Sequence, residues 1–143
     1  MINVFEGEYA FLSNFYFSPM IIHNVAYTTN EHFFQAMKTL DPKERQAIIL
    51  TPNPGKAKYL GRKVSLRKDW EDMKEEVMLI GLRHKFSIPD LRRKLLATGN
   101  EELIEGNHWH DNYWGICNCE TCGGQGKNRL GKLLMQVREE LAD

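Results

Sequence analysis

From Asp69 to Leu141 the apolar residues of this chain recur every three or four positions. That spacing restricts the possible folds more than any other feature, because side chains turn by roughly 100° per residue in an α-helix. Trp70, Met73, Val77 and Ile80 form the apolar stripe of a long helix starting at Asp69. Ile88 to Thr98, closed by Gly99, reads as a further helix with a glycine stop. A last helix runs from about Asn128, a good N-cap residue, to Leu141, with Leu130, Leu133, Leu134, Val137 and Leu141 as its core face. Nearer the start, Thr28-Thr29-Asn30-Glu31 fits a capping box for a helix through about Leu40. Pro42 suits the first turn of a second helix ending before Pro52-Asn53-Pro54, and 56–61 forms a marginal third.

The part up to Tyr27 has a different character. Val4-Phe5, Met20-Ile21-Ile22 and Val25-Ala26-Tyr27 are β-like runs, and His23-Asn24 makes a tight turn between the last two. The segment 11–15 is too irregular for a strand. With no repeat, linker or low-complexity tract, the expectation is a single domain over 1–143, mainly α with a small N-terminal antiparallel β-sheet (α+β).

Composition excludes several classes. A chain of 143 residues with 42% hydrophobic content can build an ordinary core, burying roughly 68–70% of its unfolded surface. Its 19 basic residues balance 19 acidic ones, which argues against a dedicated nucleic-acid binder but not against a nucleic-acid substrate held at one base. The N-terminus lacks the pattern of a secretory signal, and no apolar run is long enough to span a bilayer. Three cysteines within 117–122 make a poor disulfide framework. A reducing, cytoplasmic setting without membrane contact is expected.

The chemistry-bearing residues concentrate in a few places. The segment from Glu105 to Gly115 reads EGNHWHDNYWG, with no apolar period and far more aromatic mass than surface loops carry. Flat rings interleaved with polar groups suit a pocket that stacks a planar heterocycle and bonds its edge. Within it, Asp111 could be a general acid or base or could cap a turn, and Glu105 sits where a short strand or turn ends. His108 and His110 could be hydrogen-bonded spacers, and Trp109, Tyr113 and Trp114 are core or stacking residues.

On the helix from Asn30, Phe33, Ala36, Met37 and Leu40 share one face, and Glu31, Gln35 and Lys38 line the other beside Phe34. That polar face is either solvated or an acid, an amide and an amine pointing together into a cleft. Phe34 favours the cleft, because a large ring bordering a polar stripe wants cover. Asn14 either makes a turn or reads a ligand amide. Trp70 is a core or a stacking residue, and Lys74 is expected to be solvated. Cys117-x-Cys119-x-x-Cys122 has metal-like spacing, and His108 or His110 could complete a four-ligand structural zinc site, the blander alternative being reduced, half-buried thiols without a cofactor. Residues 123–128 form a glycine-rich approach to the last helix, serving as a flexible turn or a phosphate seat.

Taken together, FLSNF (11–15), EHFFQAMK (31–38), Trp70 with Lys74 and Val77-Met78, LRHKF (82–86), LLATGNEELIEGNHWHDNYWG (95–115) and KNRLGKLLMQVRE (127–139) resemble the YbiA-like, or NADAR domain, family. The resemblance covers nearly the whole chain in order. It implies a compact, mostly helical, single-domain fold and hydrolysis of N-glycosidic bonds. Family substrates are ribosylaminopyrimidine intermediates of riboflavin synthesis and ADP-ribosylated guanine, free or within nucleic acid. Both carry ribose C1′ on an exocyclic amine of a flat, guanine-like ring. On this reading Glu31, Lys38 and Asp111 are the candidate catalytic residues. The candidate substrate-binding residues are Asn14, Phe15, Phe34, Gln35, Trp70, Glu105, Trp114, Gly115 and Asn128. The chain departs from the family pattern at the longer 105–111 segment and at the cysteine-rich insert, where substrate specificity would be set.

Two routes fit these residues. Glu31 and Asp111 could act as acid and base in direct hydrolysis. Alternatively, Lys38 could attack C1′ of an opened sugar to form a Schiff base while Glu31 moves protons. The rivals are a module that binds ADP-ribose or a nucleotide without turnover, and a zinc-stabilised interaction knob at 105–122.

Overall fold

His23 and Asn24, at φ 51° and 65°, turn the chain in the left-handed geometry that a two-residue hairpin demands. They join β1 (Met20–Ile22) to β2 (Val25–Tyr27) in an antiparallel pair with Met20 opposite Tyr27. In a computed structural model of residues 1–143, this hairpin belongs to one of two compact units, Asn14–Lys85; the other comprises Met1–Ser13 and Phe86–Asp143.

In the first unit α1 (Asn30–Ala36) is buried on every face and packs against α2 (Pro42–Ile49), α3 (Pro54–Gly61) and α4 (Trp70–Lys85). Its cap lies one residue later than the capping box proposes. Thr29 Oγ1 accepts the His32 N–H at 3.1 Å, which leaves Glu31 outside the cap. The helix also stops short of Leu40, which is 63% exposed. The Lys38 carbonyl accepts the Arg67 N–H at 2.8 Å and Thr39 bridges to Leu66, so the backbone groups that would continue the helix are taken by another segment. Asn53 caps α3 through the Lys56 N–H, and Pro54 at its first turn starts it two residues earlier than expected. Along α4 the buried residues are Trp70, Val77, Met78, Gly81, Leu82 and Lys85. The stripe is rotated from the expected one, leaving Met73 and Ile80 half-buried.

In the second unit Ile2 bridges to Leu103, and Val4-Phe5 forms no strand. Residues Gly7–Leu12 make a 3-10 turn, with Phe11 edge-on to Phe86 at 6.5 Å. α5 (Pro89–Ala97) ends before Gly99 at φ 62°, as the sequence pattern predicts. α6 (Arg129–Ala142) buries Leu130, Gly131, Leu133, Leu134 and Val137. Two short strands, β3 (Gly106–Asn107) and β4 (Ile116–Cys117), pair in parallel and carry the aromatic loop between them. The protein is therefore mostly helical with a small antiparallel pair near its N-terminus. No helix is long and apolar enough to cross a membrane.

Candidate active site

The polar face of α1 is neither solvated nor set on an open groove wall. Glu31 and Gln35 are 6% and 3% exposed, and Gln35 Nε2 donates to Glu31 Oε2 at 2.7 Å. One turn on, Lys38 is half-buried with its Nζ 5.8 Å from the Phe34 ring centroid. Burial lowers the Lys38 ammonium below the ordinary lysine value, the Glu31 carboxylate opposes that, and Arg62 and Lys58 reinforce it. The helix and the turn after it thus bring together an acid, an amide and an amine of lowered proton affinity.

The cover expected over Phe34 comes from within the unit. Trp70 meets it edge-on at 5.1 Å, and both rings are buried. Asn14 also turns inward: its carbonyl accepts the Glu31 N–H at 3.0 Å, and its Oδ1 accepts Asn30 Nδ2 at 2.8 Å. Its Nδ2 faces Met78 Sδ on α4, so this amide links the start of α1 to α4. Phe15 is 43% exposed, with Lys58 Nζ 6.0 Å from its ring centroid. Lys74, expected in solvent, is half-buried and pairs with Glu71 at 2.6 Å.

In the second unit, the hub of the aromatic loop is Asn107, which is 1% exposed. Its Oδ1 accepts the N–H groups of Trp109 and Asp111, and its Nδ2 donates to Glu105 Oε2 at 3.1 Å and to the Asp111 carbonyl at 3.0 Å. Asp111 Oδ1 accepts the N–H groups of Tyr113 and Trp114 at 3.1 and 2.9 Å, which is the capping role weighed for it. Tyr113 and Trp114 meet edge-on at 4.9 Å, and Trp109 is 58% exposed. A side chain on Gly115 would collide with Glu105, so Gly115 lets the two strands close.

Asn128, expected to cap α6, instead sits at φ 49° with no side-chain cap bond. Its Oδ1 accepts the Glu105 N–H at 3.0 Å and its Nδ2 donates to the Leu103 carbonyl at 2.9 Å. Loop carbonyls do the capping. Tyr113 and Trp114 accept the N–H groups of Arg129 and Leu130 at 3.0 and 2.9 Å. Those donors are therefore spent, and the segment 123–128 works as a turn rather than a phosphate seat.

His110 Nδ1 and the sulfurs of Cys117, Cys119 and Cys122 lie within 4.8 Å of one another, and this set could hold a metal ion. The Cys119 thiol is held below its ordinary value, chiefly by the Cys122 N–H. Cys122 is pushed up to about 11, first by the Cys117 thiol and then by Cys119.

Sequence reasoning missed four residues. Asn107 looked like any loop asparagine. Lys58 and Arg62, one turn apart on and after α3, form a cationic group with Lys38, and their spacing was the available clue. Lys85, in the last turn of α4, would ordinarily be a solvated complement to the helix dipole. It is instead fully enclosed, with Nζ 5.9 Å from the Tyr16 ring centroid, and burial lowers its ammonium to about 7.

Comparison with known proteins follows the same lines. The NADAR domain model matches residues 3–142, which takes in both units. The chain is 44% identical over 140 residues to N-glycosidase YbiA of Escherichia coli, covering 96% of this chain and 84% of that one. It is 39% identical to an N-glycosidase of Nostoc punctiforme, covering 93% and 86%. A riboflavin biosynthesis protein of Vibrio vulnificus is 36% identical over 96% of this chain and 37% of its own length. The NMR structure of E. coli YbiA superposes with a TM-score of 0.82 at 41% identity, covering 99% of this chain and 87% of that one.

Proposed function

This chain belongs to the NADAR domain family, and we propose that it hydrolyses the bond between ribose C1′ and an exocyclic amine of a guanine-like ring. It is an N-glycosidase, a hydrolase of N-glycosyl bonds acting on a glycosylated small molecule. The observation that carries the finer reading is the buried, hydrogen-bonded pair Glu31 and Gln35 on α1 with the half-buried Lys38 just past the end of that helix. An acid and a half-desolvated amine in that arrangement are the two groups that an imine route needs.

In that route the sugar ring opens and C1′ becomes an imine carbon bonded to the base nitrogen. The neutral Lys38 amine adds to C1′, and Glu31 carries the protons that this nitrogen gives up to the departing base amine. Water then hydrolyses the lysine imine, releasing the open-chain sugar aldehyde and returning the amine to Lys38. Gln35 holds the Glu31 carboxylate through its 2.7 Å hydrogen bond. Lys58 and Arg62 supply positive charge beside Lys38, which favours a substrate bearing phosphate, as both ribosylaminopyrimidine phosphates and ADP-ribosyl-guanine do. In direct hydrolysis Asp111 would be the second carboxylate, but one of its oxygens already serves two backbone N–H groups. The imine route is the better supported.

Both glycosides, an ADP-ribosylated guanosine and a ribosylaminopyrimidine phosphate, are to be incubated with the enzyme side by side. Release of free base amine from at least one is expected, and binding of either without release would favour a non-catalytic ADP-ribose module. Glu31→Gln should lower turnover by two orders of magnitude or more, on the scale of about 10²–10⁴ for a lost proton donor. Borohydride added during turnover should fix the sugar to Lys38; protein of unchanged mass would eliminate the imine route.

A further inference from the structure

We propose that His110, Cys117, Cys119 and Cys122 bind one zinc ion in a closed structural site that fastens the aromatic loop to the turn after β4. The four ligand atoms come from three separate stretches of backbone and converge within 4.8 Å of one another. His110 Nδ1 lies 3.3 Å from Cys122 Sγ, 3.4 Å from Cys119 Sγ and 4.0 Å from Cys117 Sγ. A tetrahedron with zinc–sulfur bonds of about 2.3 Å and a zinc–nitrogen bond of about 2.0 Å has edges of roughly 3.5–3.8 Å. The cluster needs only small adjustments to receive the ion.

The surroundings are built for thiolates. Each sulfur faces a donor: the His110 N–H points to Cys117 Sγ and the Cys122 N–H to Cys119 Sγ, both at 3.3 Å, and Asn112 Nδ2 lies 3.7 Å from Cys122 Sγ. Such outer hydrogen bonds orient metal ligands and stabilise their charge. After Cys122, Gly123 and Gly124 take φ values of 61° and 80°. Their N–H groups return to the carbonyls of Cys119 and Cys117 at 2.9 and 2.8 Å, which curls the chain around the sulfurs. His110 itself stands at φ 69°, a left-handed conformation that persists in a non-glycine residue when its surroundings over-determine it. Ligation of its ring would supply that constraint.

Four protein ligands leave no open coordination position, which marks the site as structural. Its mechanical effect follows from the topology. β3 and β4 are two residues long, too short to hold an eight-residue loop alone. Asn107 fixes the first half of that loop, and the metal would tie His110, near its apex, to Cys117 at its exit and to the turn beyond. Ligand thiols lose their protons on binding, so affinity for zinc should fall in acid.

The test uses the full chain, free of any histidine tag and purified under reducing conditions without chelator. Elemental analysis should find one zinc per chain, and cobalt exchanged into the site should show the thiolate charge-transfer and ligand-field bands of tetrahedral S₃N coordination. Cys119→Ser and His110→Ala should bring metal to background, whereas His108→Ala should keep one zinc. Removing the metal should speed amide exchange across 107–126 with little change in α4. Wild-type protein that holds no zinc and takes up no cobalt overturns the proposal, as does a disulfide between two of these cysteines in the reduced preparation. Loss of metal in His108→Ala with retention in His110→Ala overturns the ligand set.

Discussion

Lys38 and Glu31 are seven residues apart, yet their roles depend on how far each is removed from water. Burial is the leading influence on Lys38 and lowers its proton affinity. If the neutral amine is the nucleophile, kcat should rise with pH along a limb whose midpoint lies below the ordinary lysine value of about 10.4. Lys38→Arg keeps the positive charge but cannot deprotonate. It should therefore abolish turnover while weakening substrate binding only slightly, and a variant retaining near-normal kcat would show that charge alone suffices there. The sequence put both residues on one face of a helix through Leu40, whereas the helix ends at Ala36 and Lys38 lies in the turn beyond it, where its charge still reaches Glu31. It did not show that Asn14 spends its amide on the start of α1, nor that Asp111 serves backbone N–H groups, since both partners are fixed by folding.

At the scale of elements, α1 is held by glycines on its neighbours. A side chain on Gly61 of α3 would collide with the Gln35 amide, and one on Gly81 of α4 with Asn30 and Phe33. The Oε1 of Gln35 and the Oδ1 of Asn30 are enclosed without a hydrogen-bond donor, each at a cost of about 1–3 kcal/mol. By helix propensity alone Gly61→Ala would stabilise α3 by about 1 kcal/mol. Overpacking against Gln35 should outweigh that, costing about 1–3 kcal/mol. Because Gln35 holds Glu31, kcat should fall by more than stability predicts. Chemical denaturation alongside steady-state kinetics checks both, and a more stable, fully active variant would contradict the packing argument. Periodicity announced most helices here. Their ends were less legible, because α1 stops where Arg67 takes the Lys38 carbonyl and α6 is capped by loop carbonyls instead of Asn128.

For the molecule as a whole, two buried bases tie stability to pH. His32 is 1% exposed, with Nδ1 2.8 Å from Thr29 Oγ1 and Nε2 3.2 Å from the Thr51 carbonyl; burial lowers its proton affinity. Lys85 is lowered to about 7. A base whose folded value is depressed binds protons more readily in the unfolded chain, so its contribution to stability is complete above the unfolded value and lost as pH falls towards the folded one. For Lys85 that window runs from the ordinary value of about 10.4 down to about 7, and for His32 it opens below about 6.5. Urea midpoints should therefore rise between neutral pH and pH 9. Lys85→Met should flatten that rise, and an unchanged slope in the variant would show that Lys85 does not titrate in this range.

The sequence by itself determined the helical character, the hairpin at His23-Asn24, the family and the N-glycosidase chemistry. All of these rest on local spacing or on ordered motifs, which are written directly along the chain. Only the tertiary structure decided that α1 is buried on every side, that Lys85 is interior, that Asn107 and Asn128 hold the aromatic loop, and that His110 rather than His108 meets the three cysteines. Each depends on which distant group excludes water or offers a hydrogen-bond partner, and that is settled only when the chain closes on itself.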